Sequence, residues 1–467
     1  MTRIVIMGGG PAGYEAALVA AQHGSDVTVV ERDGMGGACV LDDCVPSKTF
    51  ISSAGIRVDM HRAPDLGVTA DRQAIGVDLP TVHGRVKGLA LAQSADVRAR
   101  VEREGVRIIR GTACFVGERS QEAPHLIEAL TPDGEREELP ADVVLVATGA
   151  TPRVLRDAEP DGERILTWRQ LYDLEELPEH LVVVGSGVTG AEFVSAYVEL
   201  GARVTLVSSR DRVLPGEDAD AAAVLQDVFA ERGVEILSQA RADAVRRTDD
   251  GVVIELADGR TVTGSHALMT VGSVPNTTDL GLEKIGVETD RGGFIPVDRV
   301  SRTSVPGVYA AGDCTGVLML ASVAAMQGRI AMWHALGEGV APIKLKTVAA
   351  AVFTRPEIAT VGISQRAIDA GEVPARTIML PLSTNPRAKM QGLRRGFVKL
   401  FCRPATGVVV GGVVVAPVAS ELILPIALAV QNGLTVADLA HTFSVYPSLS
   451  GSITEAGRQL MRHGDLD

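Results

Sequence analysis

The residues best suited to redox chemistry are Cys39 and Cys44, which four residues separate in GGACVLDDCVPSK, a stretch that ends at Lys48. Two thiols that close into a disulfide store two electrons, so the pair raises the question of a working redox centre. Asp42 and Asp43 lie between the thiols. Carboxylates beside a thiol raise its pKa and deplete the reactive thiolate, so we expect both thiols to be poorly ionised.

The N-terminal residues predict a dinucleotide site. RIVIMGGGPAGYEAALVAA contains a short strand, a Gly-x-Gly-x-x-Gly turn and an Ala-rich helix, and a second strand ends at Glu31. The glycines permit close approach of a pyrophosphate to the helix N-terminus, and the acid is placed for a ribose hydroxyl. The binding residues predicted here are Gly8, Gly10, Pro11, Ala12, Gly13 and Glu31.

The same pattern recurs in HLVVVGSGVTGAEFVSAYVELGARVTLVSS, but without the acid at the end of the second strand. Ser208 stands there and cannot repel a 2′-phosphate, while Arg210 and Arg212 follow closely, so the site should accept NADPH as well as NADH. Surface arginines without a ligand are the alternative. The residues predicted to bind NAD(P)H are Gly185, Gly187, Val188, Thr189, Gly190, Ser208 and Arg210.

Two further strands are expected to bring ligand-binding residues to the same edge of a sheet. ADVVLVATGATPR runs into a turn at Thr148 and Gly149, and GVYAAGDCTG delivers Asp313. Open α/β sheets bind ligands at the carboxyl ends of their strands, so Asp313 suits a polyol chain, with a plain helix cap as the alternative. The simplest topology inserts the second nucleotide domain into the first, leaving near Thr148 and returning near Gly272.

The composition fits a cytoplasmic α/β protein of several domains. The chain has 467 residues, 46% of them hydrophobic and 3% aromatic, with 50 glycines and a net charge of -13. The acidic charge argues against nucleic acid as a partner, and the five scattered cysteines argue against a disulfide scaffold. The start shows no signal peptide. The apolar stretch 407–430 is interrupted by Pro417, Glu421 and Pro425, so we expect a strand and a helix there and no integral membrane segment.

In their order and spacing, the motifs resemble those of the flavoprotein disulfide reductases, the family of dihydrolipoamide dehydrogenase, glutathione reductase and mercuric reductase. The resemblance covers nearly the whole chain. The motifs that carry it are GGGPAG with Glu31, the GG-x-C-x4-C-V-P-S-K run, ATGATP, GSGVTGAE, GSVPN, VYAAGD, VFTRPEIATVG and YPSLSGSITEAG.

This resemblance implies two Rossmann-like dinucleotide-binding domains, one inserted in the other, and a C-terminal α+β dimerisation domain. The implied division is an FAD-binding domain of residues 1–152 and 273–343, an NAD(P)H-binding domain of residues 153–272 and an interface domain of residues 344–467. The implied cofactors are FAD and NADPH or NADH, and the implied assembly is a homodimer.

The resemblance also implies roles for individual residues. Cys39 is similar to the outer interchange thiol and Cys44 to the thiol against the flavin. Lys48 would lie near flavin N5 with Glu192 as its partner, since a buried lysine needs a counter-charge. The helix from Ala321 would aim its N-terminus at the flavin pyrimidine edge, with a core helix as the alternative. The remaining cofactor contacts implied are Gly37, Ala38, Thr112, Ala113, Thr148, Gly149, Gly272, Asp313, Leu320, Ala321 and Ser322.

The C-terminal motif departs from the family. Members that reduce disulfides have His-Pro-Thr-x-x-Glu there, and the histidine serves as acid-base group of the other subunit's site; here Tyr446 and Gly451 replace that dyad. A phenol with a pKa near ~10 keeps its proton at neutral pH, whereas a histidine near ~6.5 can cycle. Tyr446 is expected to keep a place in the active site by packing against the flavin. His441 is expected to be a solvent-facing residue at a helix end.

The other departures concern the region between the cysteines and the return to the first domain. Leu41 and Asp43 replace the usual Asn and Gly, although the spacing of the thiols is unchanged, so a disulfide can still close. Ser273 stands where relatives commonly have arginine. No histidines and cysteines fall at the spacing of metal ligands, so no metal site is predicted.

These features favour an FAD-dependent NAD(P)H:quinone oxidoreductase, in which hydride reaches flavin N5 and electrons then pass directly to a quinone or similar small acceptor. The reason is that flavin reduction retains its residues while thiol interchange has lost its base, a group typically worth about 10²–10⁴-fold. The alternative is a dithiol-disulfide reductase that acts through Cys39 and Cys44 on an unusual substrate. A nucleotide-loaded sensor without turnover is a third hypothesis.

Overall fold

A computed structural model describes residues 1–69, 71–117 and 124–461. The first segment of the chain forms a three-layer α/β unit and a small antiparallel sheet. Its strands are β1 (Arg3–Met7), β2 (Asp26–Glu31), β3 (Arg107–Arg110), β4 (Thr112–Phe115), β5 (His125–Leu130), β6 (Arg136–Ala141) and β7 (Val143–Val146). Its helices are α1 (Pro11–Gln22), α2 (Gly37–Leu41), α3 (Cys44–Arg62) and α4 (Leu79–Arg103).

The second segment repeats the α/β pattern. Its strands are β8 (Ala150–Pro152), β9 (Ile165–Leu166), β10 (His180–Val184), β11 (Arg203–Val207), β12 (Glu235–Leu237), β13 (Ala242–Arg247), β14 (Val252–Leu256), β15 (Thr261–Gly264) and β16 (His266–Met269). Its helices are α5 (Val188–Leu200) and α6 (Ala219–Glu231). The strands order as β12-β11-β10-β16-β9, all parallel, with β13, β14 and β15 in a separate antiparallel sheet.

The chain then returns to the first sheet. It passes through β17 (Ser273–Pro275), α7 (Leu282–Ile285), β18 (Val308–Ala310) and α8 (Ala321–Ala335). The complete first sheet is parallel with the order β18-β7-β1-β2-β3, so residues far apart in the chain complete one sheet. Strands β8 and β17 pair antiparallel, so the chain leaves the first unit and returns to it along two neighbouring strands.

Helices α1 and α8 approach closely because Gly328 faces Ala12. A Cβ at Gly328 would lie 2.1 Å from the carbonyl oxygen of Ala12, so a larger side chain would separate the helices. The central strands β1, β7, β10 and β16 are rich in Val, Ile and Leu and are buried on both faces, as covered parallel sheets require.

The C-terminal segment is α+β. Its strands are β19 (Ala349–Val352), β20 (Glu357–Gly362), β21 (Arg376–Pro381), β22 (Phe397–Cys402) and β23 (Val409–Ala416), in the antiparallel order β19-β20-β23-β22-β21. Its helices are α9 (Gln365–Asp369), α10 (Pro386–Met390), α11 (Ala419–Leu422), α12 (Leu424–Asn432), α13 (Val436–His441) and α14 (Gly451–Leu460). Residues 118–123 and 462–467 of the predicted first and last domains lie outside the described residues.

The apolar stretch 407–430 forms β23 followed by α11 and most of α12, which confirms the predicted strand and helix. Among the residues that the structure describes, no helix is long and apolar enough to cross a bilayer. The predicted fold class, with two Rossmann-like sheets and a C-terminal α+β unit, is confirmed.

Candidate active site

The first glycine motif is shaped by contacts with its own sheet. Gly8 has φ +108°, and a Cβ there would lie 2.3 Å from the Ala147 carbonyl oxygen. A Cβ at Gly13 would lie 1.9 Å from the Gly8 carbonyl oxygen. At Gly10, by contrast, an added Cβ would meet no described atom within 4 Å. The first and third glycines are therefore required by the fold, while the middle one leaves open space at the N-terminus of α1, where a pyrophosphate would lie.

Glu31 is held at the end of β2 by backbone N–H groups. Its Oε2 accepts from Gly9 N at 2.5 Å, and its Oε1 accepts from Asp33 N at 2.7 Å and from Gly34 N at 3.2 Å. A cavity of about 240 Å³ opens beside this carboxylate, lined by Glu31, Asp33, Gly34, Met35, Arg98, Ile108 and Arg110. An oriented carboxylate beside a cavity fits the ribose of a bound dinucleotide.

The second glycine motif repeats the backbone of the first. Gly185 has φ +115°, and its Cβ would lie 2.3 Å from the Thr270 carbonyl oxygen; a Cβ at Gly190 would lie 2.0 Å from the Gly185 carbonyl oxygen. Gly187 has open space, and Val188 and Thr189 begin α5 beside it. The residues present therefore fit a second dinucleotide at the N-terminus of α5.

The two arginines that follow Ser208 have different environments. Ser208 is fully buried, and its hydroxyl lies 2.7 Å from the Ser186 hydroxyl and accepts from Arg210 N at 3.1 Å. The Arg212 guanidinium donates to the carbonyl oxygens of Pro215 and Glu217 at 3.2 and 3.3 Å. Arg210 is exposed. Arg212 thus binds within its own loop, and Arg210 is the exposed arginine of the two.

Lys48 and Glu192 form an ion pair between α3 and α5. Lys48 Nζ lies 2.8 Å from Glu192 Oε2, and Glu192 Oε1 accepts from Phe353 N at 2.9 Å. The ammonium also lies 5.0 Å from the centre of the Phe353 ring. Burial disfavours the charged ammonium, but the neighbouring Glu192, Cys44 and Asp43 more than offset it, so the pKa of Lys48 is raised. The Lys48 ammonium therefore stays charged, and the almost fully buried Glu192 carboxylate balances that charge.

Cys39 lies in α2 and Cys44 begins α3, and both are half-buried free thiols. A hydrogen bond from the Cys44 side chain lowers the pKa of Cys39 in spite of its burial, and the same contact, with burial, raises the pKa of Cys44. The pKa of Cys44 is raised, as expected, whereas the pKa of Cys39 is lowered, because its contact with Cys44 outweighs its burial and the charge of Asp43.

The two carboxylates between the thiols have different environments. Asp43 raises the pKa of both thiols, and burial raises its own pKa. Asp42 instead lies 3.3 Å from Arg169 Nε, an ion pair that joins the end of α2 to the second segment of the chain. Of the two acids, Asp43 is the one with a pronounced effect on the thiols.

The other predicted contacts border the first site. Gly37 and Ala38 begin α2, and a Cβ at Gly37 would lie 2.9 Å from Gly10 Cα, so the thiol segment abuts the first glycine motif. Burial raises the pKa of Asp313 to about 6, with a smaller contribution from Asp43. Leu320 precedes α8, and Ala321 and Ser322 form its first turn, as predicted.

The remaining predicted contacts lie on strands and crossings of the first and second segments. Thr112 and Ala113 lie on β4. Thr148 Oγ1 donates to the Asn276 carbonyl oxygen at 2.6 Å, and Gly149 follows with φ +70°. Gly272, with φ +97°, precedes β17. The structure thus places Thr148, Gly149 and Gly272 where the chain crosses between its two nucleotide-binding segments.

Tyr446 is 81% exposed and follows two other exposed apolar residues, Phe443 and Val445. Its peptide bond to Pro447 is cis. His441 is the exposed last residue of α13, as expected, and Gly451 begins α14. The region offers neither an imidazole nor a carboxylate at the two positions of the family dyad.

Three residues near these sites were not predicted from the sequence. Phe353 holds Glu192 through its backbone, Arg169 pairs with Asp42, and Lys399 lies buried in β22. A lysine inside the apolar run FVKLFC was a usable signal for the last, because a buried charge needs partners. In the part of the chain that the structure describes, no three metal-ligating side chains cluster together.

Comparison with known proteins agrees with this geometry. Residues 2–328 match the pyridine nucleotide-disulphide oxidoreductase family, and residues 348–457 match the dimerisation domain of that family, which supports a homodimer. The chain is 66% identical over 470 residues to an NAD(P)H dehydrogenase (quinone) of Mycobacterium tuberculosis, covering 100% of this chain and 95% of that protein.

More distant curated relatives include dihydrolipoyl dehydrogenase 2 of Haloarcula marismortui, which is 36% identical with 97% of this chain and 96% of that protein covered. Among solved structures, LpdA from Mycobacterium tuberculosis superimposes with a TM-score of 0.95 at 65% identity, covering 99% of this chain and 100% of that one. Family matches over both halves, together with two nucleotide motifs and the thiol pair, place the chain in the flavoprotein disulfide reductase family, whose cofactors are FAD and NAD(P)H.

Proposed function

We propose that the protein is an FAD-dependent NAD(P)H:quinone oxidoreductase. The observation that carries this proposal is the contrast between the intact Lys48–Glu192 ion pair and the C-terminal motif, where Tyr446 and Gly451 replace a histidine and a glutamate. The electron-accepting half of the site keeps its charged pair, while the half that handles thiol protons has lost its base.

FAD, when bound, supplies the redox chemistry by accepting hydride from NAD(P)H and returning electrons to the acceptor. The chain contributes binding and a fixed positive charge. The two helix N-termini and their open glycines suit the two pyrophosphates. The Lys48 ammonium, held by Glu192 and Phe353, provides a cation that favours an electron-rich neighbour.

The acceptor is proposed to be a quinone or a similar small oxidant, because such molecules take electrons directly and need no thiolate. The 66% identical relative from Mycobacterium tuberculosis is named NAD(P)H dehydrogenase (quinone), which supports the same acceptor class here. The proposal includes a cytoplasmic homodimer whose domains end at residues 152, 272 and 343. In it, the residues around the flavin are Cys39, Cys44, Lys48, Glu192 and Tyr446.

A steady-state panel tests the proposal. Quinones, lipoamide and glutathione disulfide are offered as electron acceptors to the purified FAD-loaded protein with NADPH and, separately, with NADH. Rapid turnover of quinones and slow turnover of disulfides is expected. Lipoamide or glutathione turnover faster than quinone turnover would overturn the proposal.

Disulfide reduction through Cys39 and Cys44 is a second candidate, and the thiol geometry favours it. The two side chains are hydrogen-bonded, and the contact lowers the pKa of the outer thiol, as an attacking thiolate needs. The variants Cys39→Ser and Cys44→Ser separate the two functions. Quinone turnover should persist in both if electrons pass directly to the quinone, and should collapse in both if they pass through sulfur.

A further inference from the structure

Lys399 is a buried cation that the proposed chemistry does not use. It lies in the middle of β22, in the C-terminal sheet, and only 2% of it is exposed. Its ammonium donates to both carboxylate oxygens of Asp218 at 2.9 and 2.8 Å and to Asp220 Oδ2 at 2.6 Å. These acids belong to the N-terminus of α6, in the second nucleotide-binding segment, so the contact joins two parts of the molecule.

Asp218 ends the loop that follows β11. Its Oδ1 caps α6 by accepting from Asp220 N and Ala221 N at 3.1 and 3.2 Å. The same carboxylate is 3% exposed and bonded to Lys399. A charge-assisted contact to a side chain this buried is costly to lose, so it fixes the position where the loop ends.

The loop from Ser208 to Asp218 is itself fastened to the second glycine motif. Leu214 N donates to the Ser186 carbonyl oxygen at 2.9 Å, and the hydroxyls of Ser208 and Ser186 lie 2.7 Å apart. Ser186 stands between Gly185 and Gly187. A shift of the loop therefore shifts the backbone that would hold the pyrophosphate.

The loop conformation needs outside support. Leu214 is almost fully buried and has φ +49°, a left-handed conformation that is unfavourable for a branched residue. Arg212 binds the carbonyl oxygens of Pro215 and of Glu217, the residue that directly precedes Asp218. The loop that contains Leu214 and Arg212 is thus held by Ser186 on one side and by the Lys399 contact on the other.

We propose that Lys399 of the dimerisation domain is a positioning residue for the NAD(P)H site, holding the Ser208–Asp218 loop against the second glycine motif through Asp218 and Asp220. The inference rests on the proposed function, since the loop borders the proposed NAD(P)H site. It makes the affinity for the nicotinamide dinucleotide depend on a contact made from the dimerisation domain.

Arg395 provides a matched control. It too reaches from the C-terminal segment to α6, where it pairs with Asp227, 2.9 Å away, and with Glu231. Asp227 lies within α6 and Glu231 is its last residue, away from the helix N-terminus that Lys399 holds. Lys399→Met and Arg395→Met therefore each remove one cation that joins the C-terminal segment to α6. Of the two variants, Lys399→Met is the one that removes a contact at the end of the Ser208–Asp218 loop.

The test is calorimetric titration of the FAD-loaded dimers with NADP⁺. Lys399→Met is expected to raise the Kd for NADP⁺ about tenfold with unchanged FAD content, while Arg395→Met stays within about twofold of wild type. A Lys399→Met protein that retains its FAD and binds NADP⁺ as tightly as wild type would overturn the inference. A wild type that binds neither NADP⁺ nor NAD⁺ contradicts the proposed function instead.

Lys399→Met leaves Asp218 buried without its cation, so the variant can fail by misfolding. The double variant Lys399→Met/Asp218→Asn removes both charges and keeps the cap oxygen, and the same rise in Kd is expected. Hydrogen exchange on the wild type needs no variant. NADP⁺ binding should protect the amides of 209–217 and also those of 397–402, and protection limited to the first segment counts against the coupling.

Discussion

The two glycine motifs have almost the same backbone but end in different chemistry. Gly10, which precedes α1, has a φ of −66° and a ψ of −175°. Gly187, which precedes α5, has a φ of −73° and a ψ of −171°. The first and third glycines of each motif make the same close approaches to a neighbouring carbonyl oxygen. Recognition of a pyrophosphate is therefore built twice by one local structure.

The difference lies at the end of the second strand of each unit. Glu31 presents an oriented carboxylate beside a cavity, whereas Ser208 is buried against Ser186 and leaves Arg210 exposed at the corresponding corner. The backbone of the two motifs is thus alike, and the side chains at the ends of the second strands differ, which is where we expect the two sites to differ in the ribose that they accept. This separation lets the two sites be altered independently.

The largest expected effect comes from filling the third glycine. In Gly13→Ala the new methyl meets the Gly8 carbonyl, and in Gly190→Ala it meets the Gly185 carbonyl, each at about 2 Å. Gly13→Ala should purify with less than about a tenth of its FAD. Gly190→Ala should stay yellow but require about 100-fold more NADPH for anaerobic bleaching. Absorbance spectra measure both, and loss of FAD from Gly190→Ala would show that the sites are not independent.

The next effect concerns the ion pair that joins the two units. Glu192→Gln leaves the Lys48 ammonium without its carboxylate partner while keeping an acceptor for Phe353 N. Stopped-flow reduction of the flavin by NADPH should slow about 10- to 100-fold, with a lower Tm. The control is Glu199→Gln, which changes a buried acid that lies two turns further along α5 and pairs with Arg232. It should lower the Tm with much less effect on flavin reduction.

A smaller effect is expected from Arg210, which lies just after the end of β11, where the two sites differ. Arg210→Gln removes the exposed cation that a 2′-phosphate would meet. The KM for NADPH should rise about tenfold, as loss of one charge-assisted hydrogen bond predicts, with the KM for NADH unchanged. Equal changes for both nucleotides would mean that Arg210 does not read the 2′-phosphate.

The smallest expected effect is a difference in the pH dependence of stability between corresponding positions of the two sheets. In the register of the strands, Val143 pairs with β1 in the first sheet and His266 with β10 in the second. Burial, with the nearby Arg164, lowers the pKa of His266 to about 4. The unfolded chain thus binds the proton more tightly, so stability from this group is present above pH 6.5 and is lost as the pH falls towards 4.

His266→Val, which copies the first sheet, should remove that part of the pH dependence. Because His266 is only half-buried, the difference is on the order of 1 kcal/mol. Tm values measured between pH 4 and 7.5 provide the test. Parallel Tm curves for wild type and variant would mean that His266 titrates normally in the folded protein.

Much of this architecture was predictable because its signals are local. The glycine spacing, the Val-rich strands and the Ala-rich helices predicted both nucleotide folds, and the apolar stretch 407–430 was recognised as strand and helix because of its prolines. The ionisation of Cys39 was not predictable in the same way. Charges close in sequence suggested a raised pKa, but a side-chain contact with Cys44 reversed the direction.

The sequence by itself determined the two dinucleotide motifs, the missing histidine and glutamate, and the family, since each depends on residue type and spacing within a short segment. Only the tertiary structure decided that Phe353 supports Glu192 and that Lys399 holds Asp218. These contacts join segments up to 181 residues apart. No local pattern encodes such a contact, because its energy depends on burial and partners that exist only in the folded chain.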